Sequence, residues 1–304
     1  MMGAGGEGRE RMEARFRSIA KRMQESLLET LWPTRCCVCD APGLLLCEVC
    51  RERLEFVDYW RACPSCGGPL GFVQCTECNA HALRRMEGAR YPFDSCVNSV
   101  LLNDAARKIV LACKDGGERR LAAVMADVMV ECLPASWRSN GRSCPRTREA
   151  DALRGKVPAK HEGGRRLSPD PRETGLPEAV FYVPASKRAF EKRGFDHAEL
   201  LAKEVAARLG LPCWTPLARP SAKDQRALGR ADRARNAIGS FGIVWHRDGF
   251  ALSLSDGRLR AIPASVVLVD DVFTSGSTLS GATLALKQAG AHRVHAATFA
   301  RTWS

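Results

Sequence analysis

The stretch VVLVDDVFTSGSTL, residues 266–279, joins an apolar run to two adjacent carboxylates and then to a string of small residues. Val266, Val267, Leu268 and Val269 show no alternation with polar residues. That pattern marks a strand buried on both faces, the kind found in parallel sheets. The expected strand runs from Ser265 to Val269 and is ended by Asp270 and Asp271. Thr274, Ser275, Gly276, Ser277 and Thr278 then lead into a helix expected from about Ser277 to Ala289, closed by Gly290.

In open parallel sheets, ligands bind beyond the carboxyl ends of strands. A loop running into a helix start offers unpaired backbone N–H groups and a positive dipole end, which suit a phosphate. Gly276 lets the backbone approach an anion, and the neighbouring hydroxyls ring it. Asp270 and Asp271 would repel a phosphate but can accept hydrogen bonds from two adjacent sugar hydroxyls. The residues by themselves therefore suggest a sugar phosphate, such as a ribose 5-phosphate moiety. The alternative is a capped helix after a strand, with acids present for solubility. A P-loop is excluded because its Gly-Lys-Ser/Thr ending is missing.

Working outward, the preceding chain reads as α/β. A strand is expected at AVFYVP, a helix over 196–209, an edge hairpin with Asp256-Gly257 at its turn, and a last strand at RVHAATFA. Further back, SCVNSVLL reads as a strand and DAARKIVLACK as a helix with Asp104 as its cap. Strands alternating with helices predict an α/β domain with a mainly parallel sheet flanked by helices, over residues 90–304. Residues 134 to about 177 lose periodicity and read as a flexible insertion. Between Arg138 and Arg172 stand ten Lys/Arg and four Asp/Glu, a net of +6 out of the chain's +12.

Before this domain lie four Cys-x-x-Cys units: Cys36/Cys39, Cys47/Cys50, Cys63/Cys66 and Cys75/Cys78. Two thiolates three residues apart can grip one tetrahedral ion, and a second knuckle a hairpin away completes four-sulfur coordination. Residues 34–82 are therefore predicted to form a double zinc ribbon with two structural zinc ions and no catalytic role. Cys37 is a register alternative to Cys36, and His81 a stray ligand candidate. Residues 1–33 hold an expected amphipathic helix, with Met12, Phe16, Ile19, Met23, Leu27 and Leu31 at spacings of three and four.

Fourteen cysteines in 304 residues, with no apolar run long enough to span a membrane and no signal-peptide pattern, suggest a cytoplasmic protein that uses thiols for metal. The net charge of +12 admits polyanionic partners, single-stranded DNA among them.

The 266–279 stretch closely resembles the 5-phosphoribosyl 1-diphosphate (PRPP) signature of type I phosphoribosyltransferases. That resemblance implies that Asp270 and Asp271 hold the ribose hydroxyls and that Thr274, Ser275, Gly276, Ser277 and Thr278 hold the 5′-phosphate. The order of zinc knuckles, LACKDGG, YVPASKRAFEKRGFDHAELLA, Gln225, Arg233, Asn236 and Phe241 resembles the ComF family of competence-related, phosphoribosyltransferase-like proteins.

The family usually reads Asn-Gln where Asp196 and His197 stand, and Pro-Val-Pro where Val183-Pro184-Ala185 stands. The resemblance implies Mg²⁺ bound with PRPP, and a diphosphate loop at Ser186, Lys187 and Arg188. It also implies a mobile hood over 216–238 carrying Gln225, Arg226, Arg233 and Asn236, with Arg193 in the RGF motif nearby. Lys114 is a weaker candidate, and His197 is expected on a helix surface rather than as a general base. Two functions follow as expectations: PRPP binding, with phosphoribosyl transfer to an unidentified acceptor, and handling of single-stranded DNA with partner proteins of DNA uptake.

Overall fold

The computed structural model describes residues 33–79, 91–137, 175–219, 241–245 and 249–303. The helix expected before Pro33 lies outside them, as do His81, Cys144, Gln225, Arg226, Arg233, Asn236 and residues 138–174 of the basic insertion. The chain divides into two compact units, 1–52 and 53–304. The two cysteine quartets therefore fall in different units.

The smaller unit is described from residue 33. Its knuckle is closed by the Cys36 N–H donating to Ala41 O and the Asp40 N–H to Cys36 O, both at 2.8 Å. A short helix, α1 (Glu48–Glu52), follows, with Cys50 buried at its centre.

The larger unit is built on four parallel strands. In chain order they are β1 (Ser95–Leu101), β2 (Ala179–Tyr182), β7 (Ser265–Phe273) and β8 (Arg293–Arg301), arranged across the sheet as β1-β8-β7-β2. Between β1 and β2 come α2 (Asp104–Lys114) and α3 (Leu121–Cys132); between β2 and β7 come α4 (Lys187–Arg193) and α5 (His197–Leu209). Two small antiparallel pairs follow α5: β3 (Leu217–Ala218) with β4 (Gly242–Ile243), and β5 (Ala251–Leu252) with β6 (Leu259–Arg260). The last pair turns at Gly257, which has φ +68°, as the Asp-Gly turn predicts. Helix α6 (Ser277–Gln288) connects β7 to β8.

Val266 to Val269 are fully buried because helices cover both faces of the sheet. Val266 and Leu268 join one apolar cluster with Leu279, Ala282, Ala285 and Leu286 of α6. Helix α5 packs on β2 and β7, α3 packs on β1 and β8, and the two helices pack on each other. Trp214 fills the centre of the α6 face, edge-on to Phe181 at 4.6 Å.

Three local expectations need correction. Asn103 rather than Asp104 caps α2, its side-chain oxygen accepting from the Ala106 N–H at 3.0 Å. Strand β7 does not end at Val269 but continues to Phe273, because β8 keeps supplying partners as far as Arg301. On its other edge, β2 stops opposite Val269, so Asp270 and Asp271 are strand residues projecting past the end of β2. Residues 135–137 form a 3-10 turn whose Trp137 is buried against His295, so the packed fold extends into the start of the expected insertion.

Candidate functional site

Each cysteine quartet brings its sulfurs together. Within Cys36, Cys39, Cys47 and Cys50, and within Cys63, Cys66, Cys75 and Cys78, all ligand atoms lie within 4.8 Å of one another. The closest sulfur pairs are 3.5–3.6 Å apart. Four sulfurs at about 2.3 Å from a central zinc would be separated by roughly 3.8 Å, so both quartets fit a tetrahedral ion.

The surroundings fit as well. A Cβ at Gly71 would meet Cys63 Cβ at 2.8 Å and Cys75 Sγ at 3.0 Å, so the second knuckle closes only around glycine. The neighbouring Cys66 thiol pulls Cys63 down to about 6. Burial pushes Cys50 up to about 12. Thiols held in such mutual conflict are resolved by a cation that takes all four as thiolates. Both quartets could hold zinc, and no residue in either offers an open catalytic position.

Strand alternation splits the acid pair. Asp270 follows Val266 and Leu268 toward the α6 face, and Asp271 follows Val267 and Val269 toward the α5 face. Asp271 Oδ2 accepts from Lys114 Nζ at 2.9 Å and from His197 Nε2 at 3.0 Å. Asp271 Oδ1 accepts the Val272 N–H at 2.8 Å, while Asp270 Oδ1 accepts the Asp271 N–H at 2.9 Å. Burial and the neighbouring Asp271 charge push the Asp270 carboxyl up to about 8. Burial acts the same way on Asp271, but His197 and Lys114 overcome it and hold that carboxyl below its usual range. Asp270 is therefore the member of the pair that favours its neutral form near neutrality, while Asp271 favours the carboxylate.

His197 corrects an expectation. It is only 9% exposed, not on a helix surface. Asp196 caps α5, accepting from the Ala198 and Glu199 N–H groups, and so places His197 as the first helical residue facing β7. Arg193 Nη1 lies 3.3 Å from His197 Nδ1. An arginine can only donate, so Nδ1 accepts and Nε2 carries the proton given to Asp271. Arg193 Nε is itself fixed by Asp115 at 3.1 Å. The pair Asp196-His197, read from sequence as a departure, is thus a cap and an orienting donor. The only sequence signal for this role was adjacency to the Arg-Gly-Phe turn at Gly194, the left-handed end of α4.

The loop after β7 runs directly into α6. Gly276 is the N-cap of α6 with φ +72°, and as glycine it has no side chain to cap the first turn. A Cβ there would meet Phe273 Cζ and Tyr91 Cε1, each at 2.7 Å. Thr274, Ser275 and Ser277 are exposed and Thr278 is half-buried. Ser275 and Ser277 hydroxyls are 2.9 Å apart, and the Ser277 N–H points at Ser275 Oγ at 3.4 Å.

Ser186 caps α4, its Oγ accepting from Ala189 N–H at 3.3 Å. Lys187 and Arg188 are exposed on that helix's first turn. Asp196 Oδ2 also accepts the Ala185 N–H at 2.6 Å, tying the turn after β2 to α5. Arg219 donates to Pro184 O and feels the Asp270 charge.

No family model matches the chain. Among curated proteins, Competence protein F of Haemophilus influenzae is 28% identical over 121 residues, which is 39% of this chain and 48% of that protein. The chain therefore spans about half the length of the curated relative it matches. This similarity to Competence protein F and the two cysteine quartets agree with the ComF resemblance read from the sequence.

Proposed function

We propose that the chain binds PRPP, or a related ribose phosphate, together with Mg²⁺, and that it serves DNA uptake as a phosphoribosyltransferase-like protein. One observation carries this reading: an acid pair projecting past β2, followed directly by an α6 N-terminus whose cap has no side chain. A 5′-phosphate would take the place of the missing capping acceptor, with Ser275, Ser277 and Thr278 around it. Asp270, once deprotonated, would accept from a ribose hydroxyl. Asp271 is held rigid by Lys114 and His197 and fixes the position of its neighbour.

Lys187 and Arg188, at the end of β2, are the cations nearest in topology for a diphosphate. Mg²⁺, when bound, would neutralise the diphosphate and bridge its oxygens to the sugar. Departure of diphosphate from the ribose C1 through an oxocarbenium-like state would need no covalent nucleophile from the protein. The link to DNA uptake rests on the similarity to Competence protein F.

Calorimetry with PRPP and Mg²⁺ tests the binding, with ribose 5-phosphate as comparison. Saturable PRPP binding is expected, lost in Asp270→Asn/Asp271→Asn. Absence of binding by the metal-replete wild type would overturn the reading.

A second reading, single-stranded DNA handling, is favoured by the second ribbon. Trp60 and Phe72 are 58% and 54% exposed there, and the Phe72 N–H donates to Arg61 O, so two exposed aromatic residues adjoin a basic residue along the backbone. Such surfaces stack bases and pair phosphates. Salt-dependent DNA binding that weakens in Trp60→Ala/Phe72→Ala would support it.

A further inference from the structure

The second cysteine centre and the loop after β7 share an aromatic wall. Tyr91 packs on Cys63, Cys66 and Cys75 on one side. On the other it stacks on Phe93 at 4.9 Å, meets Phe273 edge-on at 5.8 Å, and donates its hydroxyl to Ser275 O at 3.3 Å. Its ring and that of Phe273 are the two surfaces that leave room only for glycine at 276.

Arg301 makes the second connection. It is fully buried at the end of β8. Its Nη1 donates to Cys66 O in the first knuckle, and its Nη2 donates to Glu77 Oε2 in the second at 2.7 Å. The same guanidinium lies 4.7 Å from the centre of the Phe273 ring. Asn98 of β1 adds a third tie, donating to Cys66 O and Gly67 O at 3.1 Å each. A buried arginine needs compensating charge, which Glu77 supplies directly and a metal tetrathiolate would add to.

From this geometry we infer that Tyr91 and Arg301 are positioning residues through which the metal in the second cysteine centre holds the 274–278 loop in its anion-binding shape. The inference rests on the PRPP reading for its ligand but not for its mechanical part. Metal loss frees the two knuckles, loosens the Cys66 carbonyl and the Glu77 carboxylate that hold Arg301, and lets the Tyr91 and Phe273 rings leave Gly276. The first centre belongs to the other unit and serves as the control.

Hydrogen exchange measured by mass spectrometry on metal-loaded full chains separates the two parts. Ser280 N–H, which donates to Gly276 O at 2.8 Å, reports loop shape. Cys75→Ser, which disables the second centre, and Tyr91→Ala, with both centres filled, are each expected to speed its exchange at least tenfold. Cys47→Ser, which disables the first centre, is expected to leave it unchanged. PRPP affinity should fall at least tenfold in the same two variants and hold in the third.

Wild-type protection of Ser280 in both Tyr91→Ala and Cys75→Ser would overturn the inference, as would equal loss in Cys47→Ser. If Cys75→Ser does not fold, Tyr91→Ala and Arg301→Met decide, with metal content confirming that both centres stay filled. Failure of PRPP to bind any of the proteins would sink the ligand assignment alone, because the exchange result is read without ligand.

Discussion

Replacing Asp270 by asparagine should stabilise the protein, and by an amount that grows with pH. The neutral carboxamide mimics the protonated acid that burial and Asp271 favour. Desolvation and the Asp271 charge push the folded carboxyl up to about 8 from an ordinary value of 3.8. A raised folded value means that stability is fully present below the unfolded pKa and is lost as pH rises through the folded one.

One proton accounts for about 1.4 kcal/mol per pH unit. The advantage of Asp270→Asn over wild type should therefore widen by about 2 to 3 kcal/mol between pH 6 and 8, then level off. The metal thiolates impose a steep pH dependence of their own, but it is common to both proteins and cancels in the difference. Urea unfolding at saturating zinc, followed by circular dichroism at half-unit pH steps, gives that difference directly. A constant offset between pH 6 and 8 would falsify the assignment of that proton to Asp270.

Asp270 accepts from a sugar hydroxyl more strongly as the carboxylate than as the acid, so PRPP affinity should rise by up to roughly tenfold from pH 7 to 9 and then flatten; calorimetry in buffers of different ionisation heat would show the released proton. His197→Ala removes a hydrogen bond to the buried Asp271 carboxylate and should cost about 1.5–3 kcal/mol in urea unfolding, with His197→Gln recovering part of the loss. His295 is buried, accepts or donates through Nδ1 to Ser95, and is pushed down to about 4 by burial. A depressed histidine gives up stability as pH falls from 6.5 toward 4, by up to about 3 kcal/mol, and His295→Leu should lose that acid limb in the same titration. Elemental analysis should find two zinc ions per chain, falling to one in Cys63→Ser and in Cys36→Ser.

The parallel core was legible because Val266–Val269 and the AVFY and HAATFA runs lack alternation, which only a sheet covered on both faces allows. The cysteine centres were legible because knuckle spacing is set locally, by turns of fixed reach. The exact end of β7 was not, because strand length there is decided by β8, a partner contributed from later in the chain. His197 was misjudged for a related reason. Helical periodicity showed that Leu201, Val205 and Leu209 face inward, but the first turn of α5 meets the acid pair only once Asp196 has set the helix start. Lys114 reaches the site across 157 residues, and Asp115 fixes Arg193 across 78, distances over which no sequence pattern specifies a contact.

The strand order has a bearing on synthesis. Strand β8 lies between β1 and β7, yet it is the last of the four to leave the ribosome. A nascent chain that has emerged as far as Gly290 holds β1, β2 and β7, with β1 joined to neither of the others. Ser95 must wait for His295, two hundred residues away, before it finds its neighbour in the sheet. Until then both flanking edges stand open, and the larger unit closes only by inserting one strand into a waiting slot. Such late, long-range closure slows folding and exposes apolar edges to other chains. A chaperone-dependent yield, sensitive to truncation anywhere after Ala289, is the cellular consequence of placing the final strand second in the sheet.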